Sequence, residues 1–273
     1  MSAGMRPVNF GHSIYLQEDP SIQNPIHKVL STLISHKVHA LLMGGQACVL
    51  YGAAEFSRDT DLVLLASDDN LALLRNALRE LRCRRIALPP FEQQYLLRGH
   101  AVHFRSYHPD AMHMRVDVMS LMRGVDPFDQ LWKRRERLGS NDANLYNVVS
   151  LPDLVQAKKT QRDKDWPMIR RLIEADYVRQ ENPTIQQVRF WLLQSRTPEM
   201  IIELAQTYVQ ESESLSNVRK VLQYAWKADK SKIEIELNRE ELNERSVDRL
   251  YWEPLRKELE DLRHMNYAAE EEV

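Results

Sequence analysis

Two carboxylates, Asp59 and Asp61, stand two positions apart at the head of an apolar run, Leu62-Val63-Leu64-Leu65. Side chains of a strand alternate between faces, so both acids point the same way, about 7 Å apart. Like charges so placed repel unless a cation lies between them. Mg²⁺ suits the pair, because it takes oxygen ligands and keeps waters for phosphates. Alone, two acids at a strand start read equally well as solvated surface. Upstream, however, Gly44-Gly45 closes a first apolar run, Val38 to Met43, and a short helical stretch, Gln46 to Ala54, follows. Glycines admit a ligand close to the backbone, and the free amides at a helix start attract anions. A glycine pair alone is a tight turn. Followed by Asp59 and Asp61, it points to a triphosphate.

A third acid, Asp117, sits between Val116 and Val118. Alternation over Met112 to Leu121 places Met112, Met114, Val116 and Val118 on one face and His113, Arg115 and Asp117 on the other. The competing reading of Asp117 is a solvated acid on an edge strand. The expectation is alignment beside Asp59 and Asp61 on a neighbouring strand, with His113 and Arg115 as polar face residues. A second constellation runs from Ser150 to Asp165. Ser150 caps, Pro152 and Asp153 suit a first turn, and a continuous helix would bring Lys158, Arg162 and Asp165 onto one face. Such charge pairs are also ordinary surface decoration, and the sequence leaves open whether Lys158 or Lys159 faces inward.

Gly44-Gly45 followed by Phe56-Ser57-x-Asp59-x-Asp61 at the head of a strand resembles the polymerase-β-type nucleotidyltransferase signature. It is most similar to the branch containing the AbiEii abortive-infection proteins. The resemblance covers about residues 24–170. It implies catalytic, metal-holding Asp59, Asp61 and Asp117, with Mg²⁺ or Mn²⁺ as cofactor. It implies nucleotide contacts from Gly44, Gly45, Ser57, Arg58, Lys158 and Arg162, with Asp165 holding the basic cluster. Many relatives carry an arginine shortly before Phe-Ser. Here Glu55 precedes Phe56, and Arg58 is the candidate substitute. The implied activity moves an NMP from an NTP to an acceptor: an RNA end, a protein hydroxyl or a small molecule such as an aminoglycoside. A toxin or defence role with an antitoxin partner follows from the same branch. The alternative is a non-catalytic relative that binds nucleotide or a partner.

The elements that must position these residues set the fold expectation. It is an α+β (α/β) protein: a small mixed sheet flanked by helices over residues 23–150, then a helical domain over 151–273 whose first helix completes the site. Residues 1–22 mix Pro, Gly, Asn, Gln and Ser without periodicity and read as an arm. Pro25 opens a helix bearing Ile26, Val29, Leu30, Leu33 and Ile34. Ser67 caps a helix with Leu71, Leu74, Leu78 and Leu81. Phe128 to Leu138 reads as one helix whose basic run, Lys133-Arg134-Arg135, is by default a solvated face, with substrate contact as the alternative. Trp191, Leu192, Trp226, Leu250, Tyr251, Trp252 and Leu255 read as anchors of the C-terminal bundle.

Charge is uneven over a formal net of −2. Residues 123–196 hold 14 Lys/Arg against 10 Asp/Glu, while 197–273 hold 11 against 18. The basic middle suits a polyanionic substrate, and the acidic tail solvates helices. Cys48 and Cys83 offer neither a disulfide framework nor zinc spacing. No signal core and no membrane-length apolar run is present, so the expected location is the cytoplasm, without membrane partners.

Overall fold

The computed structural model describes residues 25–139 and 145–271, and the expected arm over 1–22 lies outside them. Pro25–Ser35 is a helix that buries Ile26, Val29, Leu30 and Leu33. The strands are β1 (Ala40–Met43), β2 (Asp59–Leu64), β3 (Arg84–Arg85), β4 (Val102–Arg105), β5 (Arg115–Met119), β6 (Glu136–Leu138) and β7 (Tyr146–Val148). They form one mixed sheet in the order β3-β4-β5-β2-β1-β7-β6. β2 lies at its centre, antiparallel to β1 and parallel to β5. Leu62, Val63 and Leu64 are fully buried there, which is why β2 is apolar on both faces beyond its acids. The helix Asp68–Glu80, capped by Ser67, seals the sheet with Leu71, Leu74 and Leu78. The fold is thus α/β, with a helical region after the sheet.

Several elements differ from the sequence reading. β5 begins at Arg115 rather than Met112, because Pro109–Ala111 forms a 3-10 turn and His113 adopts φ 62°. Left-handed backbone breaks a strand. The helix from Phe128 stops at Lys133, and Glu136–Leu138 turns back as β6. Beyond that stop the basic run is engaged by the protein rather than decorating a helix. Arg134 forks onto Asp153 at 2.7 Å through Nε and Nη2 and reaches Asp126 at 2.8 Å. Arg135 stacks on Trp132, 4.1 Å from the ring centroid.

The expected helix from Ser150 to Asp165 is two elements. Leu151–Ala157 ends at Lys158, and a new helix, Asp165–Arg179, starts seven residues later. Side chains capture the backbone between them. The Thr160 hydroxyl accepts from Arg162 N–H at 3.1 Å and donates to Asp165 Oδ2 at 2.6 Å. The Trp166 indole N–H bonds Thr160 O at 2.9 Å.

Beyond Asp165, the helices Ile185–Gln194 and Pro198–Thr207 bury Trp191, Leu192, Ile201 and Leu204. A 42-residue helix, Lys230–Glu271, contains Pro254 and packs back against the sheet region through Asp248, Tyr251, Leu255 and Glu258. Trp226 and Leu250, expected as core anchors, are exposed instead. Among the described residues, no helix is long and apolar enough to cross a membrane.

Candidate active site

β2 and β5 run parallel in register, pairing Asp59 with Arg115 and Asp61 with Asp117. Alternation then sends Asp59, Asp61, Arg115 and Asp117 to the same face, while Thr60, Val116 and Val118 are buried on the other. That face floors a cavity of about 460 Å³. Gly44, Gly45 and Ser57 form one side, and Lys158, Thr160, Arg162 and Asp165 form another. Arg58, expected to contact nucleotide, does not line it and is exposed.

The glycine pair starts the helix Gly44–Leu50 rather than preceding it. Gly44 has φ +67°, and a β-carbon there would fall 1.9 Å from Asp61 Oδ2. Gly45 N–H donates to the same oxygen at 3.4 Å, and a β-carbon on Gly45 would meet Ser57 Oγ at 2.6 Å. The two glycines therefore make room for Asp61 and Ser57.

The carboxylates differ in their surroundings. Burial raises the Asp61 carboxyl, and the Asp117 charge raises it further, against opposition from Lys158 and the Gly45 amide. Burial would raise Asp117 as well. Hydrogen bonds from His103 and Arg115 outweigh it, leaving Asp117 below its ordinary value. Asp117 Oδ1 lies 2.9 Å from His103 Nδ1 and 2.8 Å from Arg115 Nε. Among the described residues, no group of three or more His, Cys, Asp and Glu side chains is drawn together as a metal-ligand set. The three acids share the cavity, with Asp117 held by its own strand neighbour.

Lys158 and Lys159 part company. Lys158 Nζ lies in the cavity wall, 3.1 Å from Asp165 Oδ1, with Arg162 Nε 3.5 Å from Oδ2. Lys159 turns instead toward Glu244 of the C-terminal helix. The Lys158, Arg162 and Asp165 cluster therefore exists, but a turn assembles it.

The sequence reading did not single out His100, His103 or Arg256, and it took Trp252 and Leu255 as bundle anchors only; all five also line the cavity. His100 is buried and bonds Glu258 Oε2 at 2.7 Å. For the residues on the long helix no local signal existed, since only the return of that helix brings them here. His103 was legible in principle, as the residue on β4 paired with Asp117.

No protein-family model matches the chain, and no curated protein matches it. Among solved structures, the chain is similar to the solution structure of the antibiotic-resistance factor ANT(2'')-Ia. Identity is 14% and the TM-score 0.36, over 71% of this chain and 94% of that one. So distant a likeness carries no functional weight, and the chemistry rests on the geometry of the cavity.

Proposed function

We propose that the chain is a divalent-metal-dependent nucleotidyltransferase that moves an NMP from an NTP to a hydroxyl at a nucleic-acid end. The observation behind this reading is the in-register pair Asp61 and Asp117 beside Asp59 at the floor of a cavity that Lys158 also lines. Carboxylate oxygens are the donor type that a hard cation takes, although the three acids are not drawn together around one point. Asp61 is a half-buried carboxylate whose ionisation is resisted by its partial burial and by a second carboxylate nearby, and added positive charge relieves that cost. Asp59, Asp61 and Asp117 would hold the ion. When bound, it would neutralise triphosphate charge and polarise the reacting phosphoryl group.

The chain's own residues supply the rest. Lys158 binds phosphate oxygens as a point charge, with Arg162 at the cavity mouth and Asp165 orienting both. The acceptor oxygen bonds the α-phosphorus as the bond to the bridging oxygen breaks and pyrophosphate departs. Asp117, on the strand nearer the basic edge of the sheet, orients the acceptor hydroxyl, whose proton passes to solvent. Positioning and charge neutralisation carry most of the rate in such transfers.

Strand register favours a nucleic-acid acceptor. Arg115 pairs with Arg105 on β4, and Arg105 pairs with Arg84 on β3. Three arginines thus stand side by side on the face that carries Asp59, about 4.8 Å apart from strand to strand. Like charges directly opposite one another destabilise a sheet. A row of phosphates would offset that repulsion, and a small-molecule acceptor would leave Arg84 and Arg105 unused. Tyr107, 5.3 Å beneath the Arg84 guanidinium, adds a ring of the kind that stacks on bases.

One observation favours a second reading, a non-catalytic nucleotide-binding protein: Asp117 Oδ1 is already engaged by Arg115 and His103. Incubation with each α-labelled NTP, Mg²⁺ and total RNA separates the two. Label on RNA that disappears in Asp59→Asn supports transfer. NTP binding by calorimetry without label on RNA, protein or small-molecule fractions establishes the second reading.

A further inference from the structure

On the far side of the Lys158-Lys159 turn, a separate cavity of about 350 Å³ opens within the helical region. Three cations line it: Lys159, Arg196 and Arg219, with side chains only 17%, 12% and 6% exposed. Two carboxylates of the lining, Glu240 and Glu244, face them, and Glu241 stands 3.7 Å from Arg196, so acids match the cations in number while their distances differ.

The arginines are satisfied by the protein. Arg219 donates to Leu192 O at 2.9 Å, Ser195 O at 2.8 Å and Glu240 at 2.8 and 3.0 Å. Arg196 bonds Glu240 at 3.2 Å and Leu237 O, and lies 4.8 Å over the Trp166 ring. Lys159 is different. Among the described residues its ammonium meets no acceptor at hydrogen-bond distance, and Glu244 Oε1 stands 3.9 Å away. Glu244 is itself engaged, through Oε2, by Arg123 at 2.9 Å. Burial and the charges of Arg219 and Arg196 lower the Lys159 pKa, against opposition from Glu244 and Glu240. The rest of the wall joins apolar Trp166, Ile169, Leu193 and Val218 to the amides Gln194 and Asn243.

We infer that this cavity is a second ligand site, distinct from the carboxylate cavity, for a small phosphorylated molecule. Its phosphate accepts from Lys159 and its apolar body lies against Trp166 and Leu193. The ammonium supplies the three donors that a phosphate group uses, and the apolar wall distinguishes this site from one built for a free inorganic ion.

Calorimetric titration of the full-length protein with phenyl phosphate, inorganic phosphate and benzoate, with EDTA present, tests the inference. Phenyl phosphate should bind saturably and more tightly than either of the other two. Lys159→Met keeps the stem, removes the ammonium and should weaken phenyl phosphate about tenfold or more, the scale of a charge-assisted hydrogen bond. Lys158→Met, which alters the other cavity, should leave it unchanged. Glu244→Gln removes a competing acid and should tighten binding, an effect opposite to loss of a structural ion pair. Absent saturable binding, or equal affinity in wild type and Lys159→Met, overturns the site. A loss shared by Lys158→Met assigns the ligand to the carboxylate cavity and also overturns it. Tighter binding of benzoate than phenyl phosphate overturns the phosphate assignment.

Discussion

Gly44 is glycine because Asp61 occupies the space a β-carbon would need, 1.9 Å from its Oδ2. The same residue has φ +67°, where any L side chain is strained. Gly44→Ala should therefore cost at least about 2 kcal/mol in urea denaturation, from backbone strain and from displacing the half-buried Asp61 carboxylate. Gly45→Ala meets the rotatable Ser57 hydroxyl and, at a milder 3.2 Å, the Ser57 β-carbon, without positive-φ strain, and should cost about 1 kcal/mol. Equal costs at the two positions would show that Asp61 is not seated by Gly44.

Asp61 also makes a pH-dependent contribution. Its folded-state pKa is raised above the ordinary 3.8, by burial first and by Asp117 second. Between the ordinary and the raised value, the folded state binds more protons than the unfolded state. Stability on account of this group is therefore full below the ordinary value and falls as pH rises toward the folded one. In metal-free buffer, Asp61→Asn should raise the thermal midpoint at neutral pH, and the gain should shrink as pH drops toward the ordinary carboxylate value. A midpoint difference that does not vary with pH would remove the repulsion argument.

Lys158 carries a structural share that an exposed lysine would not. Its ammonium is 3.1 Å from Asp165, whose side chain is only 4% exposed. Lys158→Ala strips that buried carboxylate of one partner and should cost about 1–3 kcal/mol, whatever it does to nucleotide binding. Lys158→Ala combined with Asp165→Asn should recover part of the loss, because the amide still reaches Thr160 and Arg162. The coupling is read from a double-mutant cycle in denaturant. Strict additivity would mean that Lys158 and Asp165 do not depend on each other.

What the sequence made legible was local. The grouping of Asp59, Asp61 and Asp117 on one face follows from alternation along β2 and β5, and alternation is a property of each strand alone. The helix to Asp165 was misread because the charged residues of 158–165 also fit helical spacing, while the deciding bonds run from Thr160 to Asp165 and Arg162. β3, two residues long, is too short to carry any pattern. Trp252, Leu255 and Arg256 reach the cavity only because the long helix folds back across the sheet region, bringing together residues well over a hundred positions apart. The arginine row was invisible for a related reason. Arg84, Arg105 and Arg115 are scattered in the chain, and only cross-strand register aligns them.

That row yields the prediction with the clearest contrast between readings. Arg84 and Arg105 are exposed and directly paired across β3 and β4, so neither is needed for the core. Replacing both by serine removes a like-charge pair and should leave folding stability unchanged or slightly raised. If phosphates of a single strand lie along the row, log affinity for an RNA oligonucleotide falls less steeply with log salt in the double variant. The slope should drop by about 0.7 for each phosphate no longer neutralised, so by about 1.4 for two. NTP affinity should not change, since neither residue lines the carboxylate cavity. Lys133→Ala, an exposed cation on another part of the sheet domain, controls for a general reduction of positive charge. An unchanged salt slope in Arg84→Ser with Arg105→Ser, or an equal drop in Lys133→Ala, would detach the row from the acceptor. The acceptor would then be sought among small hydroxyl compounds and proteins, with the carboxylate cavity still in place.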